Sequence, residues 1–185
     1  MSHCKGIAVL ARLKWVQQHH GAEGTARLLE ALPIGTRETV ERHVLPHGWV
    51  PMLHFIELNV AADRLFGTGD LALCKVMGAW AAAENLPKLF RLFYRLGSPT
   101  FIFERASKLW SAHYDSGTLQ LLEPQATGCR LSLTGFDAPH RAHCLSVLGW
   151  AGKSVELSGA KVLQLEEVTC RTRGDPRCEM LLRWE

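Results

Sequence analysis

The chain has 185 residues, 47% of them hydrophobic and 21% charged, with a formal net charge of +3. That balance excludes a disordered chain and describes a globular domain able to bury a core without disulfides. Its charges are spread rather than gathered into a basic stripe, which argues against a nucleic-acid partner, and no run approaches the ~20 apolar residues of a transmembrane helix. Ile7, Leu10, Ala11, Leu13, Val16 and Gln17 recur near helical spacing and predict a helix over 7–20, ended by Gly21. A short helix follows over 25–32, stopped by Pro33, and a polar one over 36–44. Pro46-His47-Gly48 is a turn. Residues 50–66 predict a long amphipathic helix with Pro51 in its first turn. Gly67-Thr68-Gly69 closes it, and Asp70 caps the next helix, which runs to about residue 83. Pro87 opens an apolar segment. Ser98-Pro99 is an N-cap with proline at the first helical position, and the helix it starts runs to Tyr114.

After Gly117 the period changes. Residues 118–123 and 130–134 predict strands joined by a loop containing Pro124 and Gly128. A helix of about twenty residues spans 138–157, with Pro139 in its first turn and Gly149 and Gly152 inside it. Residues 162–170 and 178–184 form a final strand pair across a Gly-Asp-Pro turn. The expected class is α+β: a single domain over 1–185, with a helical part (1–97) packed on a small antiparallel sheet (98–185).

The opening residues carry a short apolar run broken by Arg12 and Lys14, with no small-residue cleavage site after it. No signal peptide is read, and the expected compartment is the cytoplasm. There the cysteines (Cys4, Cys74, Cys129, Cys144, Cys170 and Cys178) are free, catalytic or metal-bound rather than paired. Glu167, Cys170 and Cys178 stand where the last two strands meet, and Cys144 lies on the preceding helix. Three sulfurs and a carboxylate make a tetrahedral set of the kind that selects zinc, closed to water and therefore structural. Arg171, Arg173 and Arg177 in the turn would offset its charge. Spacing alone favours free thiols and a solvated glutamate over a metal site, because no paired CxxC is present.

The stretch from His143 to Trp184, with Cys144 and then Glu-x-x-Cys-x₇-Cys across the Arg-Gly-Asp-Pro turn, resembles the end of a 4-vinyl reductase domain. It is similar to the zinc-binding sensor domains of phenol- and toluene-responsive activators, and Trp110 and Tyr114 before Asp115-Ser116-Gly117 suit the same family. The N-terminal half (KGIAVLARLKWVQQHHG, GWVPM, DRLFGTGD) is similar to uncharacterised proteins common in myxobacteria. The resemblance implies Zn²⁺ on Cys144, Glu167, Cys170 and Cys178, a homodimer, and an apolar pocket for a small hydrophobic or aromatic ligand. Candidate pocket residues are Phe90, Phe93, Tyr94, Phe101, Trp110, Leu121 and Leu148, the alternative being that they are plain core.

The resemblance implies a sensor or regulatory domain, and since no Walker motif and no helix-turn-helix follows the last strand, its signal is expected to pass to a separate partner protein. The alternatives are a protein-interaction adaptor, a tethering-type subunit and, less favoured, a tetrapyrrole-related reductase. No GxSxG, HExxH or supported Cys–His pair occurs among the nine histidines, so an enzyme is not expected.

Overall fold

The computed structural model describes residues 1–42, 44–84 and 98–185. Strand β1 (His3–Lys5) leads into α1 (Gly6–Ala31), and α2 (Ile34–Glu41) follows. Strand β2 (Trp49–Pro51) pairs antiparallel with β1, with Cys4 opposite Val50. Then come α3 (Met52–Phe66), α4 (Ala72–Glu84), α5 (Pro99–Phe103) and α6 (Ala106–His113). The four-stranded antiparallel sheet has the order β3-β4-β6-β5, from β3 (Thr118–Gln125), β4 (Gly128–Thr134), β5 (Val162–Thr169) and β6 (Cys178–Trp184). Helix α7 (Arg141–Leu157) connects β4 to β5, and a single 3-10 turn (Arg171–Arg173) lies in the last hairpin. The α+β class stands, and the last two strands fall where the sequence puts them.

Gly21 does not end its helix. It kinks α1 at φ +67°, a conformation that costs glycine little, and the helix resumes on the far side. The buried face of α1 is also rotated from the expected one: Val9, Arg12 and Val16 face the core with Trp15, while Leu10 and Leu13 are only half-buried. The helix started by Ser98, whose hydroxyl accepts from the Phe101 N–H at 3.3 Å, breaks after Phe103 into α5 and α6. Asp70 does cap α4, accepting from Ala72 N–H at 2.9 Å. Fully buried Asp63 of α3 adds a second cap, accepting from Leu71 and Leu73 N–H groups. This carboxylate on the α4 N-terminus ties α3 to α4.

Strands β1 and β2 have no signal in their three-residue stretches. They form because β1 is held on both sides. Cys4 also bridges to Tyr114, and the His3 N–H donates to Asp115 Oδ1 at 2.6 Å. Helices α4 and α7 touch through their backbones: a Cβ on Gly78 would overlap the Ser146 carbonyl, and one on Gly149 would overlap that of Lys75. The glycines inside the long helix are therefore packing contacts, and they set α7 between α4 and the sheet. Among the described residues, no helix is long and apolar enough to cross a membrane.

Candidate functional site

Between α1, α4, α6 and α7 lies a cavity of about 150 Å³. Its space comes from small side chains: Gly78, Ala81 and Ala82 on α4 face Ala8 one turn before Arg12 on α1. Leu109, Trp110 and His113 on one side of α6 form a second wall, with Tyr114 just beyond. Ser146, Val147 and Trp150 on α7 close the third, and Phe55 and Leu119 complete the lining. Trp110 is fixed by its indole N–H, which donates to the Ser116 carbonyl at 2.8 Å. His113 Nδ1 is bonded to the Leu109 carbonyl at 2.8 Å, so its Nε2 is the ring nitrogen left for other partners.

Among the described residues, Arg12 is the cavity's one fixed charge, and it is only 3% exposed. Its Nε donates to Asn59 Oδ1 at 3.0 Å, an Nη2–H donates to Ser146 Oγ, and the guanidinium lies 4.9 Å from the centroid of the Phe55 ring. Asn59 is oriented for this by its own amide, which donates to the Phe55 carbonyl at 2.7 Å. Burial pulls the Arg12 pKa down from its ordinary value.

Behind Trp110 and Tyr114 stands His143, fully buried in an aromatic cage. The ring centroids of Phe136, Tyr114 and Trp110 lie at 4.7, 5.0 and 5.7 Å from it, and that of Phe55 at 6.1 Å. Neither ring nitrogen has a hydrogen-bond partner among the described residues. Burial first, then the nearby positive charge of Arg12, lowers its pKa to about 3. It is a neutral imidazole, carried at the cost of an unsatisfied buried donor.

The second cluster lies around the α7 N-terminus and the last hairpin. The sulfurs of Cys144, Cys170 and Cys178 lie within 4.8 Å of one another, all buried. Cys170 Sγ is 3.6 Å from Cys144 Sγ and 3.0 Å from Thr172 Oγ1, and the Arg171 N–H donates to Cys178 Sγ at 3.4 Å. A proton donated by Cys144 and the Arg171 amide hold the Cys178 thiol down at about 6, and the same sharing pushes the Cys144 thiol up. Glu167 does not join the sulfurs. Its carboxylate is taken by Arg141 and by Arg173, whose Nη1 lies at 3.2 Å. The remaining cysteines, Cys4, Cys74 and Cys129, are buried and unpaired, with pKa values raised to about 12 by burial.

Of the pocket residues named from sequence, Trp110 lines the cavity. Leu148 is buried in the core and Leu121 packs partly buried against it. Phe101 is 38% exposed beneath the Arg105 guanidinium, while Phe90, Phe93 and Tyr94 lie outside the described residues. Sequence reasoning missed Arg12, Asn59, His113 and Ser146 as a group. One signal was available: Arg12 interrupts the apolar row Val9–Arg12–Val16, a charge set at a core position of a helix.

No family model matches the chain, and no curated protein matches it in sequence. Solved structures do match in fold. An H-NOX protein from S. oneidensis in the Fe(II)NO ligation state is 14% identical, with a TM-score of 0.75 covering 98% of this chain and 99% of that one. An Fe(II) unliganded H-NOX protein from K. algicida is 13% identical, with a TM-score of 0.70 covering 98% and 96%. A structure described as probing haem distortion in the H-NOX family is 11% identical, with a TM-score of 0.71 covering 98% and 95%.

The chain therefore has the H-NOX fold, and this corrects two expectations. The resemblance to a 4-vinyl reductase domain does not hold, because the neighbours that span the chain are H-NOX domains. The motif behind it covers one helical turn and one hairpin, whereas the topology of the whole chain fixes the fold. Structural Zn²⁺ as the cofactor falls as well, since the neighbours are described by Fe(II) and haem. Within this chain, the fourth ligand of the zinc set is occupied by two arginines. Homodimerisation, expected from the same resemblance, loses its support with it.

Proposed function

We propose that the chain is a small-molecule-binding sensor domain, acting in the cytoplasm and passing its signal to a separate protein. The observation that carries this reading is the largely apolar cavity of about 150 Å³ with a few polar groups, Arg12, Ser146, His113 and Tyr114, in its walls. Apolar walls with a small number of placed polar groups are the usual make-up of a ligand site. The likeness to H-NOX proteins described with bound NO or haem supports the same class of role.

Those neighbours carry over haem as the cofactor to test. The described residues do not fit it. A macrocycle of four pyrrole rings needs a site well into the ~300–1,000 Å³ range of larger ligands, and this cavity has about 150 Å³. Helices α4 and α7 meet backbone to backbone and leave no slot between them. His113 is the one histidine lining the cavity among the described residues, and residues 43 and 85–97 add a single histidine at position 43 and no cysteine. The proposed sensor therefore contacts its ligand directly through its own side chains.

The test is a haem titration followed by absorption spectroscopy, beside a thermal-shift panel of single-ring compounds. The expected result is no stoichiometric Soret band and a saturable rise in Tm with at least one compound. A one-to-one Soret band that disappears in His113→Ala would replace the direct-contact reading with a haem protein. No saturable shift with any compound, and no haem, would overturn the sensor reading.

A further inference from the structure

Among the described residues, Arg12 is a buried cation without an anion. Its hydrogen-bond partners, Asn59 and Ser146, are neutral. The ionisable groups that act on it are Tyr114, Cys74 and Cys4, and no Asp or Glu is among them. Residues 43 and 85–97 contain no Asp or Glu either. Burial pushes both thiols to about 12 and the Tyr114 phenol upward, so all three neighbours are neutral at pH 7. Buried charges in folded proteins are paired or neutralised, because taking a lone ion out of water costs several kcal/mol. A guanidinium stays charged in proteins. The chain thus keeps a desolvated positive charge at the wall of a cavity and supplies nothing to balance it.

The cavity gives the shape of what would balance it. A void of about 150 Å³ lined by apolar side chains holds one benzene-sized ring. Trp110, Leu119, Val147 and Trp150 supply those walls. A guanidinium has five N–H donors in a planar fork, and the two named bonds use two of them. A planar carboxylate is the anion that matches a guanidinium fork.

We propose that the cavity binds a small organic monocarboxylate bearing one aromatic or alicyclic ring, its carboxylate on Arg12 and its ring against Trp110, Leu119, Val147 and Trp150. This names the ligand class of the sensor reading and rests on it. Binding completes a charge pair that the free protein lacks. An uncharged isostere of the same shape would instead leave the guanidinium unbalanced.

The experiment is isothermal titration of the full chain with benzoate, cyclohexanecarboxylate and benzamide, repeated with Arg12→Met, Arg12→Lys and Val147→Trp. Both acids should bind, and benzamide should bind at least ~30-fold more weakly, the scale of a charge-assisted hydrogen bond. Arg12→Met should lose acid binding, Arg12→Lys should retain a fraction of it, and Val147→Trp should abolish it by filling the space with Arg12 intact. Circular dichroism checks that each variant is folded, and Val147→Trp keeps the test open should the Arg12 variants unfold. Equal binding of benzamide and benzoate would overturn the carboxylate inference and leave the sensor reading standing. The same holds if the acids bind undiminished to folded Arg12→Met. If none of the three compounds binds, the inference falls, and the broader panel then decides the sensor reading separately.

Discussion

Helix α7 has a charged neighbourhood on each side. Towards α1, Ser146 accepts from Arg12, a guanidinium with neutral partners only. Towards the last hairpin, two residues earlier and roughly 200° around the helix, Cys144 meets Cys170 and Cys178. Beside that cluster, Glu167 is held by Arg141 and Arg173. One side has a charge in excess of its partners, and the other has an acid with two bases. A buried pair that is complete holds structure together, whereas an incomplete one costs stability and is poised for a partner from outside. That contrast separates the place where a ligand belongs from the place where the fold is fastened.

The seam between the two regions gives the largest expected effect. Gly149→Ala forces a methyl group into the Lys75 carbonyl and should destabilise by about 3 kcal/mol, read by chemical denaturation. Gly78→Ala should act similarly through the Ser146 carbonyl. Little loss in either variant would mean that α4 and α7 can separate, and would weaken the argument against a large cofactor. The next pair tests the contrast itself by its sign. Arg12→Met removes an unbalanced charge and should raise stability by about 2 kcal/mol, while Glu167→Gln breaks the pairing of a buried carboxylate with two part-exposed arginines and should lower it by about 1 kcal/mol. Changes of the same sign in both variants would collapse the distinction.

A pH dependence follows from His143. Its folded pKa, about 3, is below its ordinary value of 6.5, so the unfolded chain takes up the proton first. The contribution is fully present above about pH 6.5 and is lost as pH falls towards 3, with a slope approaching ~1.4 kcal/mol per pH unit. As the pH falls from 7 to 4, the stability of wild type should drop relative to that of His143→Phe, and a difference that stays constant with pH would contradict a buried neutral imidazole. The smallest effect is chemical. Cys178, with its pKa near 6, should react with iodoacetamide before Cys4, Cys74 and Cys129, whose thiols sit near 12. Peptide mass spectrometry gives the order, and uniform labelling would show that the hairpin does not activate its thiols.

The hairpin was legible because its chemistry is local. Cys170 and Cys178 lie eight residues apart across one turn, and strand alternation brings them together without knowledge of the fold. Even so, Glu167 was assigned to the sulfurs, because spacing does not reveal that Arg141 from another element competes for it. The cavity was not legible for the opposite reason. Arg12, Asn59, His113 and Ser146 come from four helices, and no periodicity joins them. The helices over 52–66 and 72–84 and the final strands followed from caps, turns and hydrophobic period, although Val50 and Pro51, expected in the first turn of the first of these helices, belong to β2. The strands β1 and β2 did not, since each is three residues long and exists through its partners.

The backbone contact between α4 and α7 has a mechanical consequence. Helices that meet through interleaved side chains slide past one another by changing rotamers, but helices that meet through glycine and carbonyl have no such gearing. The α4–α7 pair is therefore a fixed frame, and any displacement transmitted from the cavity has to travel along its other walls. The shortest such lever is α6: it carries Leu109, Trp110 and His113 into the cavity, and its end at Tyr114 is laced to the first strand through Cys4 and to the loop leading into β3 through the bond from Trp110 to Ser116.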